Sequence, residues 1–90
     1  MGAKSNFADY VKSIVHTVTS AEATANSATI PSGIDTPTGQ TVQVLDSGGN
    51  VVTSDADITL SGNDLVVADG ASFNMTAGYV IHALVFKAIP

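Results

Sequence analysis

Two histidines and a scatter of aspartates are the side chains from which this 90-residue chain could assemble a reactive or metal-binding centre. His16 and His82 stand near opposite ends of the sequence, on segments that read as strands. Pairing of those terminal strands would make the two imidazoles neighbours. A zinc site would still want a third ligand, and a nucleophilic one an activated hydroxyl with a base held by an acid. No serine or aspartate is marked out for either part, so both histidines are expected to be structural or to lie at a subunit interface.

The acidic residues are tested in the same way. Asp46-Ser-Gly-Gly-Asn50 places oxygen donors around a flexible centre, but a calcium loop of the EF-hand type needs ligands at alternate positions and a distant bidentate glutamate. The chain's one glutamate is Glu22. Gly48-Gly49 between two valine-rich runs supplies what a β-hairpin needs instead. The stretch from Ser61 to Val67, SGNDLVV, is a single imperfect copy of a calcium-binding nonapeptide that works only in tandem, and it reads as a second turn at Gly62-Asn63. A weak cation site between loops, drawn from Asp55, Asp57, Asp64 and Asp69, is the alternative use of these side chains. Asn74-Met-Thr76 fits the glycosylation triplet, a pattern common by chance. Phosphate-binding glycine loops and the zincin and serine-hydrolase motifs are missing. The expectation is a non-enzyme with no catalytic residues, no metal and no cofactor.

Composition narrows the class further. The chain has no cysteine, which excludes disulfides, thiolate catalysis and zinc–thiolate centres. Its basic side chains other than histidine are Lys4, Lys12 and Lys87, against eight acids and a net charge of −5. From Ser13 to Phe86 there is neither lysine nor arginine, so a phosphate backbone would be repelled and no nucleic-acid partner is expected. No apolar run approaches the ~20 residues of a membrane-spanning helix, and the N-terminal MGAKSNFADY lacks the apolar core of a signal peptide, so no membrane partner is expected either. At this length one domain, 1–90, is expected, with 1–10 as an extended or helical arm.

The elements that would position these residues are short. Turn signals recur at Pro31-Ser-Gly33, Thr36-Pro-Thr-Gly39, Asp46–Asn50, Ser61–Asp64, Asp69-Gly70 and Ala77-Gly78, separated by runs of Val, Ile, Thr and Leu. That cadence predicts an all-β fold, a small antiparallel β-sandwich or barrel of Ig-like or jelly-roll-like type. Strands are expected over Ser27–Ile30, Thr41–Leu45, Val51–Thr53, Ile58–Leu60, Leu65–Val67 and Tyr79–Lys87. The last is long and mostly apolar, and is expected to be central and buried on both faces. Residues 6–19 read two ways. Phe7, Tyr10, Val11, Ile14, Val15 and Val18 have helical spacing with Asn6 as a cap, whereas the β-branched content from Val11 favours a strand to Thr19 after a helical turn near Asn6–Tyr10. Ala21–Ala28, AEATANSA, reads as a solvated turn or the start of the next strand.

From Val11 to Phe86 the sequence resembles, in style more than in any diagnostic motif, the small β-sandwich structural proteins of tailed bacteriophages. The resemblance is carried by the opening VKSIVHTVT, the link into SATIPSG, the hairpin VQVLDSGGNVV and the closing ADGASFNMTAGYVIHALVF. It implies a head-decoration or cement protein located in the virion, bound to the major capsid protein or another virion protein, and homo-oligomeric. Tail or fibre modules and Ig-like modules that bind carbohydrate or a cell-surface ligand share the cadence and are the alternatives. Phe7, Tyr10, Phe86 and Ile89, apolar residues near the two ends, are the candidate interface residues.

Overall fold

The β-branched run after Tyr10 forms a strand, β1 (Val11–Thr17), which settles the helix-or-strand ambiguity for the part that the structure describes. The computed structural model describes residues 10–52, 56–70 and 73–88; the expected turn at Asn6–Tyr10 and the arm lie almost wholly outside them. β1 stops two residues before Thr19 because Thr19 begins a helix. Its side chain accepts the amide of Glu22, and the Glu22 carboxylate accepts the amide of Thr19, a reciprocal cap on α1 (Ser20–Ala25). The segment expected to be a turn or strand is therefore a short helix, closed by Asn26 in the left-handed region at φ 61°.

Five more strands follow: β2 (Ser27–Pro31), β3 (Gly39–Leu45), β4 (Asp57–Ser61), β5 (Asp64–Ala68) and β6 (Val80–Phe86). They form two antiparallel three-stranded sheets, ordered β1-β6-β3 and β2-β5-β4, so the fold is the small all-β sandwich expected. α1 carries the chain from the first sheet to the second. β4 and β5 are joined by the tight turn Gly62-Asn63, with Gly62 at φ 60° between the paired Ser61 and Asp64.

The core lies between the sheets. Alternate residues of each strand point inward, and Val44, Leu65, Val67, Ile81 and Val85 are fully buried. Phe73 and Met75, from the loop before β6, close one side of it. A polar side chain inside, Ser32, is satisfied locally: its hydroxyl donates to the carbonyl of Ile34 and accepts that residue's amide.

Two expectations need correction. β6 is central, as its length suggested, but only one of its faces is buried: Ile81, Ala83 and Val85 point inward while His82, Leu84 and Phe86 are exposed. Apolar content alone cannot distinguish a strand between two layers from one whose outer face lacks a cover. The expected strand Val51–Thr53 shrinks to a single bridge between Val51 and Leu45, with the amide of Val52 bonded to the carbonyl of Val44; Thr53 lies outside the described residues.

Candidate functional site

The register of the first sheet decides what its outer face presents. Val11, Phe86 and Gly39 form one cross-strand row, and Ser13, Leu84 and Thr41 the next. Val15, His82 and Gln43 follow, then Thr17, Val80 and Leu45. Val51 stands opposite Leu45 and extends the last row. Among the described residues the exposed large hydrophobic side chains are Val15 at 66%, Val51 at 59%, Leu84 at 42% and Phe86 at 36%, and all four belong to this one face. No acidic or basic side chain other than His82 occupies any of these positions, although the chain carries a net charge of −5. Isolated exposed apolar residues are ordinary; here four of them gather on one sheet face whose described positions carry no acid, lysine or arginine.

At the middle of the face lies an open groove of about 270 Å³ beside Leu84, lined by Ser13, Thr41, Gln43 and His82. Its lining supplies two hydroxyls and an imidazole but no acid that could orient the imidazole. The acid sits elsewhere. His16 and His82 are on strands that do pair, yet they are one residue out of register: His16 faces Ile81, and His82 faces Val15. Their side chains therefore point to opposite faces of the sheet, and the expected adjacency is not realised.

His16 has its own partner. Its Nε2 lies 2.9 and 3.0 Å from the two oxygens of Glu22, so the carboxylate that caps α1 also clasps β1. Partial burial pushes the Glu22 pKa up, but the Thr19 amide and His16 outweigh it and hold the carboxyl below its ordinary value. The imidazole–carboxylate pair and the groove are thus on different sides of the sheet.

The aspartates are occupied by loop architecture. Asp46 Oδ1 accepts the amides of Gly48 and Asn50, both at 2.9 Å, and the Asn50 side-chain amide at 3.3 Å. The Asn50 backbone amide lowers the Asp46 pKa against the cost of desolvation, helped by the Asn50 side chain and the amides of Gly48 and Gly49. Asp69 Oδ1 accepts the amide of Met75 at 2.7 Å and fixes the loop that places Phe73 and Met75 in the core. No three His, Asp or Glu side chains converge among the described residues; Asp55 lies outside them.

Of the candidate interface residues, Phe7 and Ile89 lie outside the described residues. Tyr10 and Phe86 come to the same end of the sheet, where the Lys87 amide bonds the Tyr10 carbonyl at 2.9 Å. Their rings do different things. Tyr10 lies under the Lys87 ammonium, 5.9 Å from the ring centroid, while Phe86 spreads over Gly39, where a Cβ would collide with the ring. Val15, Leu84 and Val51 are exposed apolar residues of this face that the sequence reading missed; for Val15 and Leu84 the signal available was the odd-numbered apolar positions of VKSIVHT set against the even-numbered ones of VIHALVF. No family model, curated protein or solved structure matches the chain.

Proposed function

We propose that this chain is a non-enzymatic structural subunit that works by protein–protein contact, and that its setting is the virion of a tailed bacteriophage, where it decorates or stabilises the capsid. The observation that carries the first part is the uncharged outer face of the β1-β6-β3 sheet, on which Val15, Val51, Leu84 and Phe86 are exposed together. A domain of this size buries a small core, and association adds stability by mass action. The second part rests on the sequence resemblance.

A carbohydrate-binding reading would ask for a platform of exposed aromatic rings. Among the described positions of the face, Phe86 is the only aromatic, and aliphatic side chains dominate the rest, which favours a protein surface as the partner.

Immunogold labelling of phage particles grown from the encoding genome, with antibody raised against this chain, tests the proposal. Regular label on the heads is expected. Unlabelled, intact particles together with free chain in the lysate would refute the virion setting.

A further inference from the structure

We propose that the outer face of the β1-β6-β3 sheet packs against the same face of a second copy of this chain, and that the charge on His82 controls the contact. The inference deepens the reading of the chain as an assembly subunit and rests on it.

The first argument is electrostatic. Two copies with a net charge of −5 repel one another except where the like charges are absent, and the outer face is such a place. Among the described residues of the face, a basic partner would find no carboxylate to pair with, and a partner lined with carboxylates or phosphates no lysine or arginine. A neutral, half-apolar surface fits a neutral, half-apolar surface.

The second is self-complementarity, which an isologous contact requires. Leu84 projects from the centre of the face, 42% exposed, and the groove beside it is lined by His82, Gln43 and Thr41. A two-fold axis lying in the face, perpendicular to β6 and between the Leu84 and His82 rows, sets knob against groove twice. Leu84 of each copy enters the His82 side of the other, Phe86 lies over Val80, and Thr41 meets Gln43. Size then sets the strength. Three seven-residue strands present a face of about 23 by 14 Å, on the order of 300 Å² per copy. Specific stable interfaces bury ~800 Å² per partner, so a weak association is expected, which repetition in an assembly would multiply.

His82 makes the contact pH-sensitive. The side chains that surround it on the face are Val80 and Leu84 from β6, Ser13, Val15 and Thr17 from β1, and Thr41, Gln43 and Leu45 from β3. None is titratable or charged, so a proton taken up by His82 would be buried in the dimer with no counter-charge. Histidine is the side chain whose charge changes between about pH 5 and 8, and acidification through that range is expected to separate the copies.

Sedimentation equilibrium of the full chain, from micromolar to millimolar and at about pH 8 and pH 5.5, tests this. Expected are a reversible monomer–dimer equilibrium at pH 8 and an increase in the dissociation constant of ~tenfold or more at pH 5.5, since two imidazolium charges would have to be buried unpaired. Leu84→Glu, and independently Val15→Glu on the neighbouring strand, should abolish the dimer while leaving the far-UV spectrum unchanged. His82→Gln should retain the dimer and lose its pH response. A chain monomeric at all concentrations, a dimer indifferent to both glutamate substitutions, or a pH response surviving in His82→Gln would overturn the inference. If wild type stays monomeric while heads carry the immunogold label, the face belongs to another virion protein and the assembly reading stands. A dimer with unlabelled particles leaves this inference and removes the virion setting.

Discussion

Replacing Glu22 by alanine removes the one side chain that ties the end of β1, the cap of α1 and the crossing between sheets together. The loss can be worked from its contacts. Glu22 accepts the Thr19 amide at 2.9 Å and His16 Nε2 at 2.9 and 3.0 Å, while the reverse bond from its own amide to Thr19 Oγ1 survives the substitution. Half of a capping box is thus removed, about 0.5–1 kcal/mol. The part-buried pair with His16 adds ~0–1 kcal/mol. A total near ~1 kcal/mol corresponds to a fall of about 4–8 °C in Tm for a domain of this size. Glu22→Gln keeps an oxygen for the Thr19 amide and should lose roughly half as much.

The pH dependence separates this account from simple helix propensity. The Glu22 carboxyl is held below its ordinary value in the folded chain, because the Thr19 amide and His16 outweigh the cost of partial burial. A depressed acid contributes stability that is fully present above its unfolded value, about 4.3, and lost as pH falls through the lower folded value. Urea denaturation followed by circular dichroism at pH 7, 5 and 3 should therefore show the gap between wild type and Glu22→Ala open at the first two and narrowed at the third. A gap that persists unchanged at pH 3, or no gap at pH 7, would refute the reasoning.

Two further perturbations address the turns. Gly49 is at φ 86° with open space around an added Cβ, whereas Gly48 has no positive φ and its Cβ would press, at 3.3 and 3.4 Å, on the hydrogen-bonded Asn50 Nδ2 and Asp46 Oδ1. Gly49→Ala should thus cost ~1 kcal/mol through its backbone, and Gly48→Ala should act by loosening the Asp46–Asn50 bonds. In an Asp46→Ala background the Gly49→Ala loss should then persist and the Gly48→Ala loss shrink; the reverse in urea denaturation would count against the assigned loop geometry. Asn63 Oδ1 accepts the amide of Thr36 at 2.8 Å, which holds a β-branched residue at φ 48°. Asn63→Ala should lower stability by about 1 kcal/mol and speed hydrogen exchange at the Thr36 amide, with partial recovery on adding Thr36→Gly. An unchanged exchange rate at that amide would show that the asparagine is not what holds the loop.

The elements that could be read from the sequence are those whose local signals agree. Val42 and Val44 alternate with Thr41 and Gln43, and Ile58 and Leu60 with Thr59 and Ser61, so β3 and β4 lie where period-two patterning puts them. The Gly62-Asn63 turn likewise follows from residue type. α1 is less apparent because six residues rich in alanine have no apolar stripe, and only Ala23 packs on the core. Its evidence is the Thr19-x-x-Glu22 spacing, a capping box in front of a segment too short to show periodicity. The histidines illustrate a different limit. That β1 and β6 pair follows from their apolar character, but whether His16 meets His82 depends on a one-residue choice of register that composition does not encode.

The outer face presents that limit in its most consequential form. In β6 the inward positions are Ile81, Ala83 and Val85, and the outward ones Val80, His82, Leu84 and Phe86. The outward set is at least as bulky as the inward one, so hydrophobicity along the strand cannot say which side is wet. What distinguishes the sides is the kind of polar residue admitted. Ser13, Thr41, Gln43 and His82 on the outer face can all be buried without stranding a permanent charge, while the described aspartates stand in loops at Asp35, Asp46 and Asp69 and on the second sheet at Asp57 and Asp64. Lysines and glutamates on an outward strand would keep a monomer soluble and block edge-on or face-on association. Their exclusion from the described positions of this face, in a chain that keeps its charge elsewhere, is what the proposed alternation between water and a protein partner would require. Among the described members of the face His82 is the one able to carry charge, and in the proposed dimer its place between the Leu84 and Val80 rows would put that charge inside the contact.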